Sequence, residues 1–84
     1  MEIRFTQSAR KHRIGKVHAL YVMENFPYSV VEGKNEASLQ RVWIALDTRG
    51  LELEVIALEL DDYLLVIHVM PTHLRKGKKR WLIN

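Results

Sequence analysis

An 84-residue chain with 13 Lys or Arg against 10 Asp or Glu carries a net charge of +3 and has room for one domain, which buries roughly 60% of its unfolded surface. The absence of Cys excludes disulfide frameworks and thiolate zinc sites and suits a cytoplasmic setting; no apolar run approaches a membrane span, and Met1 to Thr6 lacks the apolar stretch of a secretory signal. The charge is segregated: residues 1–16 sum to +4, residues 17–74 to −6 and residues 75–84 to +5, so ends that meet in space would make one positive surface of the kind that binds a phosphate backbone.

Glu2 to Thr6 alternates apolar and polar residues and reads as a short strand able to pair with a sheet edge. Ser8 is the N-cap candidate of a first short helix through Ile14, which Gly15 is expected to stop. A second helix is predicted from Lys16 to Asn25. Its stripe is Val17, Leu20 and Tyr21, with Ala19, Val22, Met23 and Phe26 more loosely placed, and Pro27 ends it. Tyr28 to Val31 reads as an edge strand, and Glu32 to Asn35 as a turn.

Three apolar runs follow: Arg41 to Leu46, Leu51 to Leu60 and Tyr63 to Met70. Asp47-Thr-Arg-Gly50 between the first two has the Asp and Gly that a type I turn or Gly-bulge hairpin requires. Asp61-Asp62 between the last two leaves room only for a hairpin, and Pro71 ends the last strand. This is an antiparallel meander.

Strict alternation puts Tyr63, Leu65, Ile67 and Val69 on one face and Leu64, Val66, His68 and Met70 on the other, so both faces are largely apolar. The apolar parity of the middle strand changes near Val55 and Ile56, through a bulge or through burial on both faces. Covering both faces takes more helix than the chain has, which points to a partner chain or a homodimer. The expected architecture is α+β: a short N-terminal strand and two helices packed on one face of an antiparallel sheet of three to five strands. It forms a single domain over residues 1–74, followed by a basic tail over residues 75–84.

Four histidines are the first candidates for chemistry. His12 lies among Arg10, Lys11 and Arg13; like-charge repulsion there favours its neutral form, which suits a general base, although an ordinary surface His is the simpler account. His68 lies inside the last strand, where a hydrogen-bonded core or interface His is the alternative. His68 and His73 are separated by Pro71 and have no acid near them in sequence, so no metal or other cofactor is expected. Glu52 and Glu54 share a face with Ile56 and read as a solvated or partner-facing stripe. The tail residues Arg75, Lys76, Lys78, Lys79 and Arg80 fit nucleic-acid contact, a solubilising terminus, or an anionic-lipid anchor using Trp81, Leu82 and Ile83.

Ser8-Ala-Arg-Lys-His-Arg-Ile14 before a helix resembles the RKHG[IV] opening of the small BrnT-type toxins of bacterial toxin–antitoxin pairs. Trp43 to Val55 resembles their central hairpin, and Leu65 to Pro71, followed by basic residues, is similar to the closing strand of short actinobacterial relatives, so the resemblance spans Phe5 to Lys76. It implies a RelE-like fold, a cognate antitoxin as partner, and metal-free cleavage of RNA by attack of a ribose 2′-hydroxyl on the adjacent phosphate. Carried over by position, Lys11 and His12 match the opening motif, Arg75 and Lys76 are phosphate clamps, and His68 is a proton-transfer candidate. The resemblance thus makes His12, His68 and Arg75 the catalytic candidates, and it gives nucleic-acid contact to Arg10, Lys11, Arg13, Lys76, Lys78, Lys79 and Arg80. Two positions depart from the family. Arg13 stands where Gly is usual, and His68-Val69-Met70-Pro71 stands where a Ser/Ala-Arg pair is usual. A non-catalytic nucleic-acid-binding or protein-interaction module with the same fold is the rival reading.

Overall fold

The computed structural model describes residues 1–32 and 39–74. The turn read after Glu32 and the tail candidates Arg75, Lys76, Lys78, Lys79 and Arg80 lie outside the described residues. Five strands, β1 (Glu2–Phe5), β2 (Ser29–Glu32), β3 (Leu39–Leu46), β4 (Glu52–Glu59) and β5 (Tyr63–Pro71), accompany one helix, α1 (Lys16–Asn25). The strand order is β1-β5-β4-β3-β2.

The hairpins form where their turn residues require. Asp47 N–H donates to the Leu51 carbonyl (2.9 Å), Gly50 N–H donates to the Asp47 carbonyl (3.0 Å), and Gly50 takes φ +82°, a left-handed backbone open to glycine. Leu60 N–H donates to the Tyr63 carbonyl at 3.0 Å across the two-residue Asp61-Asp62 loop. The sheet, however, is mixed. β1 runs parallel to β5, pairing Ile3 with Leu64 and Phe5 with Val66, while β2, β3, β4 and β5 are antiparallel in turn. Between β1 and its partner lies the rest of the chain, ample for the crossover that parallel pairing needs.

The first expected helix does not form. Ser8–Arg10 makes only a 3-10 turn, and Arg13 takes φ +58°, which ends any continuation. Ser8 is not its cap; the Thr6 hydroxyl accepts the Ala9 N–H (3.2 Å), and Ser8 Oγ instead donates to the Ile67 carbonyl (3.4 Å). Gly15, expected as a stop, is the extended residue that opens α1, and its carbonyl accepts the His18 N–H at 3.1 Å. The buried residues of α1 are Ala19 and Val22, while Val17 is exposed, so the helix meets the sheet through a narrower stripe than the sequence suggests.

Cross-strand partners share a face, and the register therefore assigns both sides of the sheet. Trp43, Ala45, Leu53, Val55, Ala57, Leu64, Val66 and Val69 face α1 and the first 3-10 turn, closing the core with Ala9, Ala19 and Val22. Each large member contributes about 1.5–3 kcal/mol by burial. β4 keeps one parity throughout. The irregularity lies at the Ile56/Ala57 step, where β5 carries one extra residue, Ile67: Ala57 pairs with Val66 but Ile56 with His68. This overturns strict alternation in β5, placing Val69 with Leu64 and Val66, and His68 and Met70 with Leu65.

Candidate functional site

The second face of the sheet has no helix over it among the described residues. Glu54, on β4, stands opposite Met70, and His68, on β5, stands opposite Ile56, so the two are diagonal neighbours on that face, within reach of one another. His68 Nε2 lies 3.1 Å from Glu54 Oε1. Glu54 is 7% exposed and His68 half-buried, which corrects the expectation of a solvated Glu52 and Glu54 stripe. One strand position towards the hairpin turn, Thr72 Oγ1 donates to Glu52 Oε1 at 2.6 Å and ties the start of the second 3-10 turn (Thr72–Leu74) to the same face.

A carboxylate held against one imidazole nitrogen fixes the ring and selects its tautomer. With Nε2–H donated to Glu54, the lone pair is on Nδ1, and the ring can take a proton there. A carboxylate that orients an imidazole through one nitrogen and leaves the other accessible is an arrangement proton transfer can use. Among the described residues no group of three His, Cys, Asp or Glu side chains is placed to hold a metal ion.

The basic run is placed differently. Ala9 enters the core, so the 3-10 turn and the residues after it belong to the helix-covered side, against β5. Arg10, Lys11 and Arg13 are exposed, His12 is half-buried, and none of the three cations makes an ion pair among the described residues. Ser8 meets the β5 bulge at the Ile67 carbonyl, so the run starts beside the same bulge that turns His68 to the open face. Among the described residues no hydrogen bond joins His12 to His68, whose ring is held by Glu54. On the open side, the Arg4 guanidinium stacks 4.1 Å from the Tyr63 ring centroid and pairs with Glu2 at 2.8 Å.

Glu54 is the residue that sequence reasoning missed. A two-residue loop at Asp61-Asp62, continued without interruption, puts His68 opposite Val55 on the core face; the extra residue in β5 shifts the register by one and puts it beside Glu54. The parity change near Val55 and Ile56 pointed to a bulge at this step of β4, but the extra residue lies in its partner strand β5, where nothing in the local sequence marks it.

Asp47 forms a second polar centre, with a structural role. Its buried carboxylate accepts the Arg49 and Leu51 N–H groups at 2.8 and 3.0 Å and the Arg49 guanidinium at 2.7 Å, and His18 Nδ1 of α1 lies 3.7 Å away. Burial opposes ionisation, but the hydrogen bonds from the Arg49 side chain and the two backbone donors, with the Arg49 charge, outweigh it and hold the carboxyl below its usual range.

The chain matches no family model, no curated protein and no solved structure. Among the described residues no helix is long and apolar enough to cross a membrane.

Proposed function

We propose that this is a toxin-type RNA-binding domain that cleaves RNA without a metal, works in the cytoplasm and is held inactive by a cognate antitoxin. The observation that carries the catalytic half is the Glu54–His68 pair on the sheet face opposite α1. In the reaction, His68 takes the proton of a ribose 2′-hydroxyl, whose oxygen attacks the adjacent phosphorus. The bond to the 5′-oxygen breaks, leaving a 2′,3′-cyclic phosphate and a 5′-hydroxyl that picks up a proton from solvent or the imidazolium. Arg75 and Lys76, which follow β5 in sequence, clamp the phosphates flanking the scissile one, while Arg10, Lys11 and Arg13, with His12 among them, bind phosphates farther along the same RNA. The resemblance carried by Ser8 to Ile14 supports the class of activity, and the sheet face that bears His68 has no helix over it among the described residues.

Arg10, Lys11 and Arg13 are exposed and pair with no acid among the described residues, which also favours a second reading, a non-catalytic module that binds nucleic acid through those cations alone. One experiment separates them. Purified protein is incubated with total RNA in EDTA, and wild type is compared with His68→Ala, Glu54→Gln and an Arg10, Lys11 and Arg13 triple Ala variant. The catalytic reading expects cyclic phosphate ends from wild type, a loss of about 10²–10⁴-fold in His68→Ala with RNA affinity retained, and weakened binding in the triple variant. Binding by wild type without any cleavage sinks the catalytic reading and leaves the module.

A further inference from the structure

The positions that β3, β4 and β5 place on the face opposite α1 include two carboxylates, Glu52 and Glu54, and no Lys or Arg. The Thr72 hydroxyl that donates to Glu52 at 2.6 Å is neutral and leaves the charge of that carboxylate in place. Across from them on β3, Ile44 pairs with Glu54 and Leu46 with Glu52, and these two apolar side chains are 45% and 52% exposed. An acidic row and an apolar row thus lie side by side. We propose that the C-terminal segment of this same chain, residues 78–83, docks here, with Lys78, Lys79 and Arg80 over the carboxylates and Trp81, Leu82 and Ile83 against Ile44 and Leu46. The proposal needs nothing from the RNA reading, whose clamps in the tail are Arg75 and Lys76.

The starting point, the length and the order of residues in the tail select it as the occupant. The Thr72–Glu52 hydrogen bond fixes the second 3-10 turn against β4 at the end of the face where Glu52 pairs with Leu46, so residue 75 sets out from there. Ile44 is one strand across from Glu52 and two residues along, about 8 Å away. Trp81 is seven residues past Leu74, a reach of up to about 25 Å, so the segment gets there with slack. A chain leaving β5 and crossing towards β2 passes first over β4 and then over β3, because the strand order is β5-β4-β3-β2. It therefore meets acidic side chains before apolar ones. The tail presents the complement in the same order, three cations at 78–80 followed directly by three apolar residues at 81–83, with no acid anywhere in 75–84. Residues 33–38 do not compete for the role: they join β2 to β3 at the other end of the face, where Leu39 pairs with Glu59, and they set Lys34 against Glu36.

The chain has two tryptophans, so Trp43→Phe in the full-length protein leaves Trp81 as the reporter. Acrylamide is expected to quench it several-fold less than free N-acetyltryptophanamide, and equally at about 1 and about 100 µM protein, since docking within one chain does not depend on concentration. Ile44→Asn with Leu46→Asn is expected to raise quenching towards that of the free amide; about 1 M NaCl, which shortens the screening length to about 3 Å, raises it part of the way. Val17→Asn, at an exposed position on α1, leaves it unchanged. With Trp43 intact, trypsin is expected to cut after Lys78, Lys79 and Arg80 several-fold more slowly in wild type than in the double Asn variant, as read by mass spectrometry. Equal cleavage of the tail in these two proteins overturns the proposal. So does protection of Trp81 that the double Asn variant leaves intact, or protection that appears only at the higher concentration, which puts the tail on another copy.

Discussion

Replacing Arg13 by Gly is expected to stabilise the protein. Arg13 takes φ +58°, a left-handed conformation in which a side-chain-bearing residue is strained by about 1–2 kcal/mol relative to the right-handed region. Glycine removes that strain but gives the unfolded chain more freedom, an opposing term of about 0.4–1 kcal/mol, so the net gain is about 0.5–1 kcal/mol. For a domain of this size that raises the melting temperature by roughly 3–6 °C. Loss of a cation beside Arg10 and Lys11 adds a small favourable term, and Arg13→Ala isolates it, since alanine loses the same charge but keeps the strain. Thermal and urea unfolding of the two variants, followed by circular dichroism, measure the difference directly. If Arg13→Gly is no more stable than Arg13→Ala, the left-handed backbone is not what strains this turn. RNA affinity is expected to fall equally in both, because the lost charge is common to them.

Asp47→Ala is expected to destabilise by about 2 kcal/mol, read in urea melts, because it takes the acceptor from the part-buried Arg49 and Leu51 N–H donors. Asp47 is held below its usual titration range, so its contribution is complete above the unfolded carboxyl pKa of about 3.9 and is lost as pH falls through that value and below. Asp47→Asn should accordingly flatten the acid limb of a stability-against-pH curve; an unchanged limb would contradict this. Leu53→Ala, at a fully buried position on β4, is expected to lose about 2–5 kcal/mol in the same melts. Trp43→Phe is expected to stay within about 1.5 kcal/mol of wild type, because the buried indole Nε1–H has no acceptor among the described residues and its removal offsets part of the lost packing.

Where local chemistry dictated structure, the sequence was sufficient. Asp47 and Gly50 admit only a tight turn, Asp61-Asp62 leaves no length for anything but a hairpin, and Pro27 and Pro71 end α1 and β5 because proline cannot continue the hydrogen bonding of either. Extents of β4 and β5 followed from these boundaries to within one residue, whereas β3 begins at Leu39, two residues before the run read from Arg41. The segment after Ser8 misled because its composition suits a helix while Arg13 takes a left-handed backbone that no helix accommodates. β1 was legible as a strand but not its direction, since parallel pairing depends on where the crossover returns.

The site was decided by tertiary structure alone. One extra residue at Ile67 in β5 turns His68 away from the core and brings it to Glu54, 14 positions earlier in the chain. Because side chains alternate with a period of two, a slip of one residue exchanges the faces of everything beyond it, and the bulge that causes the slip is set by how β5 fits between β1 and β4. Apolarity on both faces of the strands was plain in the sequence. Which face α1 takes, and which therefore has no helix over it among the described residues, depends on packing against Ala9, Ala19 and Val22, a choice made only when the whole chain folds.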